Sequence, residues 1–189
     1  MVAHLSEVRL TLEALARARQ QLTEAGKAFT HVEVGAMIEV PASALMLTSF
    51  LKHFDFISVG TNDLIQYTLA IDRADEAVAH LYDPWHPAVL RLLSQVISQA
   101  RAAGKAVSVC GEMAGDPDFT ELLIAMGLRS LSMHPSQIAS IKQRVLRTDA
   151  RRWAMQLQRV LAADDPQTEC KSAARMFFPQ SLDKSVAGA

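Results

Sequence analysis

Apolar residues recur along the chain in two patterns, one with helical spacing and one with the short continuous runs typical of buried strands. The first 25 residues carry apolar side chains at helical spacing from Leu5 to Leu15, and Gly26 ends the run. The sequence therefore predicts an amphipathic helix ahead of the first strand.

Four apolar runs are predicted to be buried strands, each followed by a helical pattern. Pro41 suits the first position of the helix after the first strand. Asp116 and Pro117 suit the start of the helix after the third, and Ser136 suits the cap of the last. The predicted strands are residues 32–38, 54–59, 106–110 and 130–133.

Strands that alternate with helices indicate parallel βα units and an α/β fold. A closed TIM (β/α)₈ barrel needs eight strands and about 250 residues, whereas four units are visible here. The sequence therefore predicts the second half of such a barrel. We assign residues 1–147 to this partial barrel and residues 148–189 to a C-terminal helix followed, from Asp164, by a poorly ordered tail.

Polar side chains with chemical potential follow the predicted strands. Glu39 follows the first strand, Asn62 and Asp63 follow the second, and Cys110 ends the third. Arg73 lies farther along the loop after the second helix. In a parallel βα architecture the carboxyl ends of the strands share one face, which is where such barrels carry their active sites.

These residue types allow a metal and phosphate site, and each also has a simpler interpretation. Glu39 and Asp63 could hold Mg²⁺, which prefers oxygen ligands, or could be a loop acid and a helix cap. Asn62 could donate to a substrate oxygen or simply make a turn. Arg73 could bind phosphate in bidentate fashion or pair with a neighbouring acid.

Cys110 has two interpretations of the same kind. A thiol at a strand end can act as a nucleophile or a general acid, and Gly111 after it would let a ligand approach the backbone closely. A free cysteine is also commonly a small core residue.

Composition narrows the class of protein. The net charge of −1 gives no basic excess for nucleic acid or a membrane surface. The apolar runs are too short to span a bilayer, and no signal-peptide pattern opens the chain. Two scattered cysteines suggest a reducing cytoplasm rather than a disulfide framework.

Four strings, in order, resemble enzyme I, the phosphoenolpyruvate (PEP)–protein phosphotransferase family. The strings are GAMIEVPA at 35–42, SVGTNDLIQYTLAIDR at 58–73, LYDPWHPAVL at 81–90 and CGEMAGDP at 110–117. The segments 4–9 and 129–133 resemble the nitrogen-type branch of that family. Pyruvate phosphate dikinase and PEP synthase share this barrel chemistry, but the second and fourth strings look closer to enzyme I.

The resemblance implies a role for each strand-end residue. Glu39 and Asp63 correspond to the Mg²⁺ ligands, and Asn62 and Arg73 to contacts with the phosphate of PEP. Cys110 corresponds to the acid that protonates the enolate of pyruvate at its methylene carbon. The implied partners are PEP and pyruvate, an HPr-type phosphocarrier protein, and a second copy in a homodimer.

The chain also departs from the family. The N-terminal part with the phosphorylated histidine, the helical subdomain that docks HPr, and the first half of the barrel with its further arginines do not match anything here. His134 stands where a small polar residue is expected. By itself the chain is therefore not expected to complete phosphotransfer, and a non-catalytic dimerisation or interaction module is the alternative function.

Overall fold

The computed structural model describes residues 1–177 of the chain. Four parallel strands form one sheet in the order β1-β2-β3-β4, with helices between them. The strands are β1 Gly35–Ile38, β2 Phe56–Gly60, β3 Ala106–Cys110 and β4 Leu131–Ser132. The parallel α/β half-barrel predicted from the sequence is thus confirmed.

Ten α-helices lie among the described residues, together with two short 3₁₀ turns, Ala79–Leu81 and Pro135–Gln137. The helices are α1 Leu5–Glu24, α2 Pro41–Leu45, α3 Leu47–Phe50, α4 Thr61–Leu69, α5 Pro87–Ala102, α6 Glu112–Gly115, α7 Pro117–Ala125, α8 Ile138–Arg147, α9 Ala150–Ala162 and α10 Pro166–Phe177.

Proline and a polar cap define where the helices after β2 and β3 begin. Pro87 follows His86, whose Nδ1 accepts the amide of Ala88 at 3.2 Å. Asp116 precedes Pro117 and accepts the amide of Asp118 at 2.9 Å. These side chains satisfy amide groups that have no partner within the helix, so the start of α7 lies where the sequence predicted it.

The two faces of the sheet differ in burial. One face packs under the helices and is apolar, with Ile38, Ile57 and Val109 fully buried. On the opposite face Met37 is 41% exposed, and Ser58 is only half-buried. Among the described residues β1 pairs only with β2, and β4 only with β3. This open inner face and these two edges are what half of a barrel presents.

The first and last strands are shorter than predicted. The first was predicted over residues 32–38, but Val32 is 60% exposed and the ladder begins at Gly35. Val34 instead exchanges hydrogen bonds with Asp55, its amide donating to the carboxylate and its carbonyl accepting from the Asp55 amide. The fourth keeps only two residues.

The segment after residue 147 contains two helices rather than one. Helix α9 packs on α7 through Trp153 and Val160, both 1% exposed. Helix α10, which the sequence pattern did not predict, packs on α9 and buries Cys170 and Ala173. The expected poor order is therefore wrong for Pro166–Phe177, and residues 178–189 lie outside the described part of the chain.

A buried ion pair ties α8 to α7. The Glu121 side chain is 3% exposed and pairs with the guanidinium of Arg144. Burial raises the pKa of Glu121, and the positive charge of Arg144 acts in the opposite direction. Burial likewise raises the pKa of the nearby Cys170 thiol, to about 12, so that it stays protonated at neutral pH.

Arg144→Ala is expected to destabilise the protein more at pH 7 than at pH 4. An acid whose pKa is raised by folding destabilises the folded state as the pH rises through that pKa, and removing Arg144 strengthens this effect on Glu121. We expect the free energy of unfolding to fall by about 2–3 kcal/mol at pH 7. This is at the low end for a buried pair because Arg144 is partly exposed. Urea denaturation at both pH values measures it.

Lys142→Ala is the matched control, because Lys142 is an exposed cation on the same helix. It should change the free energy of unfolding by less than about 0.5 kcal/mol at both pH values. An Arg144→Ala loss that is equal at pH 4 and pH 7 would contradict a role for the charge of Glu121.

Candidate functional site

The sheet register brings the predicted site residues to one edge. Cys110, the last residue of β3, pairs with Gly60, the last residue of β2, and Ile38 pairs with Val59. Glu39 follows Ile38 directly. The carboxyl ends of three neighbouring strands therefore lie together, as parallel pairing requires.

Glu39 turns toward the neighbouring strand. A Cβ atom placed on Gly60 would lie 3.1 Å from the Cβ of Glu39 and 3.2 Å from its Oε2. The Glu39 side chain is 18% exposed, and the amino group of Met1 lies 3.6 Å from its Oε1. The absence of a side chain at Gly60 thus lets this carboxylate lie over the end of β2, beside the start of α4.

Arg73, which follows α4 in sequence, folds back toward Asp63 at the start of that helix. Asp63 lies in the first turn of the helix, and Nη2 of Arg73 is 3.7 Å from its Oδ1. The chain returns because Ala70 ends α4 in the left-handed conformation, with φ of 55°. The amide of Arg73 then donates to Oε1 of Gln66 at 3.1 Å. Of the two predicted metal ligands, Asp63 is therefore paired with the guanidinium of Arg73.

Asn62 is anchored through its oxygen. Its Oδ1 accepts the amide of Glu112 at 3.0 Å, which assigns the orientation of the side-chain amide. Thr61 next to it donates to the carbonyl of Cys110 at 2.8 Å. These two bonds join the start of α4 to the loop after β3, and they leave the NH₂ group of Asn62 as a donor.

Gly111 makes this junction possible. Its φ is +102° and its ψ is −176°, a combination that is essentially restricted to glycine. A Cβ atom there would lie 2.5 Å from Oγ1 of Thr61 and 2.8 Å from Oδ1 of Asn62.

The Cys110 thiol lies on the open inner face of the sheet among weak polar contacts. Its Sγ is 3.5 Å from the carbonyl of Val59, 3.8 Å from Sδ of Met37 and 3.9 Å from Oγ of Ser58. Ser108 donates to Ser58 at 3.2 Å. Cys110 is half-buried, so it is a reachable thiol rather than a core residue.

A cavity of about 390 Å³ opens beside this thiol, lined in part by Asn62, Cys110, Glu112 and His134. A second cavity of about 380 Å³ is lined in part by Glu112, which it shares with the first, and by Tyr82. The size of the first is in the range of small-molecule sites. A small anion could therefore contact the thiol and the Asn62 amide at once.

Tyr82 extends the site beyond the residues predicted from sequence. Burial raises its pKa to about 12, the negative charges of Glu112 and Asp63 add to this, and Arg73 opposes it. The phenol therefore remains protonated at neutral pH and can serve as a donor.

Comparison with known proteins shows which family the chain belongs to. Residues 1–150 match the family described as PEP-utilising enzyme, PEP-binding domain. The chain belongs to this family. The resemblance to PEP-utilising proteins read from the four strings is thereby confirmed.

The relatives share one name, phosphoenolpyruvate-protein phosphotransferase. The protein of Cupriavidus necator is 52% identical over 180 residues, covering 95% of this chain and 31% of the relative. That of Bacillus sp. (strain S) is 48% identical over 148 residues, or 76% and 26%. That of Enterococcus faecalis is 42% identical over 170 residues, or 89% and 30%. The chain thus spans less than a third of the length of these relatives.

The carboxylates predicted as metal ligands can be compared with the coordination that a hard cation needs. Within residues 1–177 no group of three or more histidine, cysteine, aspartate or glutamate side chains could hold a metal ion. Glu39 and Asp63, which follow neighbouring strands, offer two carboxylates. Mg²⁺ is usually held by one or two carboxylates, with waters and substrate phosphate completing its coordination, so the donor set fits Mg²⁺ and not a metal that needs a closed protein cage.

Sequence reasoning gave no role to several residues near the candidate site. Met37, Ser58 and Ser108 are on the same face as Cys110, which the period of two along a strand could have indicated. Tyr82 lies in one of the four matched strings but shows no pattern of its own. No helix among the described residues is long and apolar enough to cross a membrane.

Proposed function

We propose that this chain is the C-terminal part of a PEP–protein phosphotransferase, which binds PEP with Mg²⁺ and passes its phosphoryl group to a protein histidine. The observation that carries the proposal is the convergence of two carboxylates, an amide, a guanidinium and a thiol at the carboxyl edge of the sheet. The shared name of the relatives supports this reaction over that of a dikinase or a PEP synthase.

In this proposal Glu39 and Asp63 hold Mg²⁺. When bound, the ion supplies positive charge to the phosphate and enolate oxygens of PEP. The position of both carboxylates at the carboxyl ends of neighbouring parallel strands supports this assignment.

Asn62 and Arg73 orient PEP. Because Oδ1 of Asn62 is engaged by the Glu112 amide, its NH₂ group faces away from that bond and can donate to a phosphate oxygen. Arg73 offers a planar guanidinium that matches phosphate geometry, and its separation of 3.7 Å from Asp63 is loose enough to be shared with a substrate. Positioning and charge neutralisation supply most of the catalysis in phosphoryl transfer.

Cys110 completes the reaction as a general acid. Loss of the phosphoryl group leaves the enolate of pyruvate, whose methylene carbon then forms a C–H bond as the S–H bond of Cys110 breaks. The half-buried thiol borders the same cavity as Asn62, which supports this role. Solvent restores the proton to the thiolate.

The whole protein extends beyond this chain, so its partners are also proposals. The histidine acceptor and the HPr-type phosphocarrier would be served by segments that the chain does not match. We further propose a cytoplasmic homodimer, and we keep the division of the chain at residues 147 and 148 as a prediction.

One observation favours the alternative of a non-catalytic interaction module. The inner face of the sheet is open, and both of its edges are unpaired among the described residues. Sedimentation would distinguish the two, because a strictly monomeric and stable chain would count against the dimerisation module.

Cys110→Ala is expected to abolish exchange of the methyl protons of pyruvate with D₂O. In the reverse direction the Cys110 thiolate removes a methyl proton, and the thiol, after exchange with solvent, returns a deuteron to the same carbon. General acid–base catalysis contributes about a hundredfold or more, so the variant should lose at least that factor. Proton NMR of pyruvate with Mg²⁺ and the chain measures the rate.

Cys170→Ala is the control, because it removes the other thiol, which is buried, and leaves Cys110 intact. Its exchange rate should remain within about twofold of the native rate. Exchange by Cys110→Ala at the native rate would overturn the role of the thiol.

A further inference from the structure

His134 borders the cavity beside Cys110, and the proposed chemistry gives it no role. It lies two residues after Ser132, which pairs with Cys110 across β3 and β4. Strand β4 ends at Ser132, so His134 lies in the segment that continues past the strand end beside Cys110. Both side chains line the same cavity of about 390 Å³, which can hold a small acid.

The contacts of the His134 ring favour one of its two neutral tautomers. Nδ1 of His134 accepts the backbone amide of Ser136 at 3.4 Å and lies 2.8 Å from its hydroxyl. A backbone amide can only donate, so the nitrogen that it faces has no proton in the neutral ring. The Ser136 amide therefore favours the tautomer with the proton on Nε2, for which no hydrogen-bond partner is found among residues 1–177.

This tautomer separates two possible functions of the residue. A histidine that accepts a phosphoryl group on Nε2 needs a lone pair there, and the Ser136 amide works against that arrangement. An Nε2–H group is instead a donor to an anionic oxygen. Glu112 also lines the cavity and repels an anion, which increases the value of a donor on the His134 side.

We propose that His134 is a substrate-binding residue whose Nε2–H donates to an anionic oxygen of the small acid bound beside Cys110 and Asn62. The inference rests on the proposed function, since it names a further contact of the same site.

Two variants separate this role from a structural one. His134 caps the turn Pro135–Gln137. Asparagine is a good cap, but its amide reaches only the position of Nδ1. Glutamine reaches the position of Nε2 and is not a preferred cap.

Calorimetry with PEP and Mg²⁺ on the full chain should therefore show binding close to native for His134→Gln. Binding by His134→Asn should be weaker by about ten- to a hundredfold, the effect of losing one hydrogen bond to a charged group. His53→Ala, an exposed histidine outside the cavity, should bind as the native chain does.

Histidine ¹⁵N NMR reads the tautomer directly. The expected result is an Nε2–H signal for His134 that shifts when PEP and Mg²⁺ are added. An Nδ1–H tautomer, phosphohistidine at position 134, or native affinity in His134→Asn together with weak binding in His134→Gln would each overturn the inference while leaving the proposed function intact. Absence of PEP binding by the native chain would overturn both.

Discussion

Gly111→Ala is expected to destabilise the protein by about 3–5 kcal/mol and to remove PEP binding. The backbone at Gly111 has φ of +102°, which costs a residue with a Cβ atom about 1–3 kcal/mol. The added carbon would also lie 2.5 Å from Oγ1 of Thr61, and overpacking costs another 1–3 kcal/mol or so. Relief of that overlap moves Asn62, which leaves the amide of Glu112 without its partner.

Gly104→Ala provides the matched control. Gly104 has φ of +68° and no atom within 4 Å of an added Cβ, so the substitution carries backbone strain without a steric overlap. It should cost only about 1–2 kcal/mol and leave PEP affinity unchanged. Urea denaturation and calorimetry measure both effects, and similar losses of stability in the two variants would contradict the close approach at Gly111.

Removing either predicted metal ligand is expected to weaken PEP binding strongly without the steric overlap that Gly111→Ala introduces. In Glu39→Ala and Asp63→Ala one carboxylate would remain, and the bound metal supplies much of the charge that attracts the phosphate. We expect PEP affinity in the presence of Mg²⁺ to fall by about a hundredfold or more in each, which corresponds to about 2.7 kcal/mol. Asp63→Ala also frees Arg73 from its acidic neighbour, so the loss should be smaller in Asp63→Ala than in Glu39→Ala.

Glu33→Ala is the control for the loss of one negative charge. Glu33 is exposed and lies before β1, at the opposite end of the strand from Glu39. The affinity of the Glu33→Ala variant for PEP should match that of the native chain. A similar loss in Glu33→Ala would show that net charge, and not a metal site, governs binding.

The architecture was predictable because its signals are local. The apolar runs of β2 and β3 and the proline and aspartate at the start of α7 mark their elements by sequence pattern alone. Helix α10 gave no such signal. Its buried side chains include Cys170 and Ala173, which are too small to form a strong apolar stripe, and the helix packs on α9.

The candidate site was predictable to the extent that it follows strand ends. Glu39, Asp63 and Cys110 lie where parallel topology brings chain positions together. The parts supplied by loops were not predictable in this way. Tyr82 reaches the site from a 3₁₀ turn, and His134 from the segment after a strand of only two residues, and neither position follows from a repeating pattern.

Calorimetric titration of the native chain with PEP, with Mg²⁺ and again with EDTA, tests the central claim most directly. A folded chain that binds PEP with Mg²⁺ and fails to bind it in EDTA is the predicted result, and it would support Glu39 and Asp63 as the ligands of a functioning half-site. No binding under either condition by a chain with a cooperative unfolding transition would contradict the account and favour an interaction module derived from the barrel.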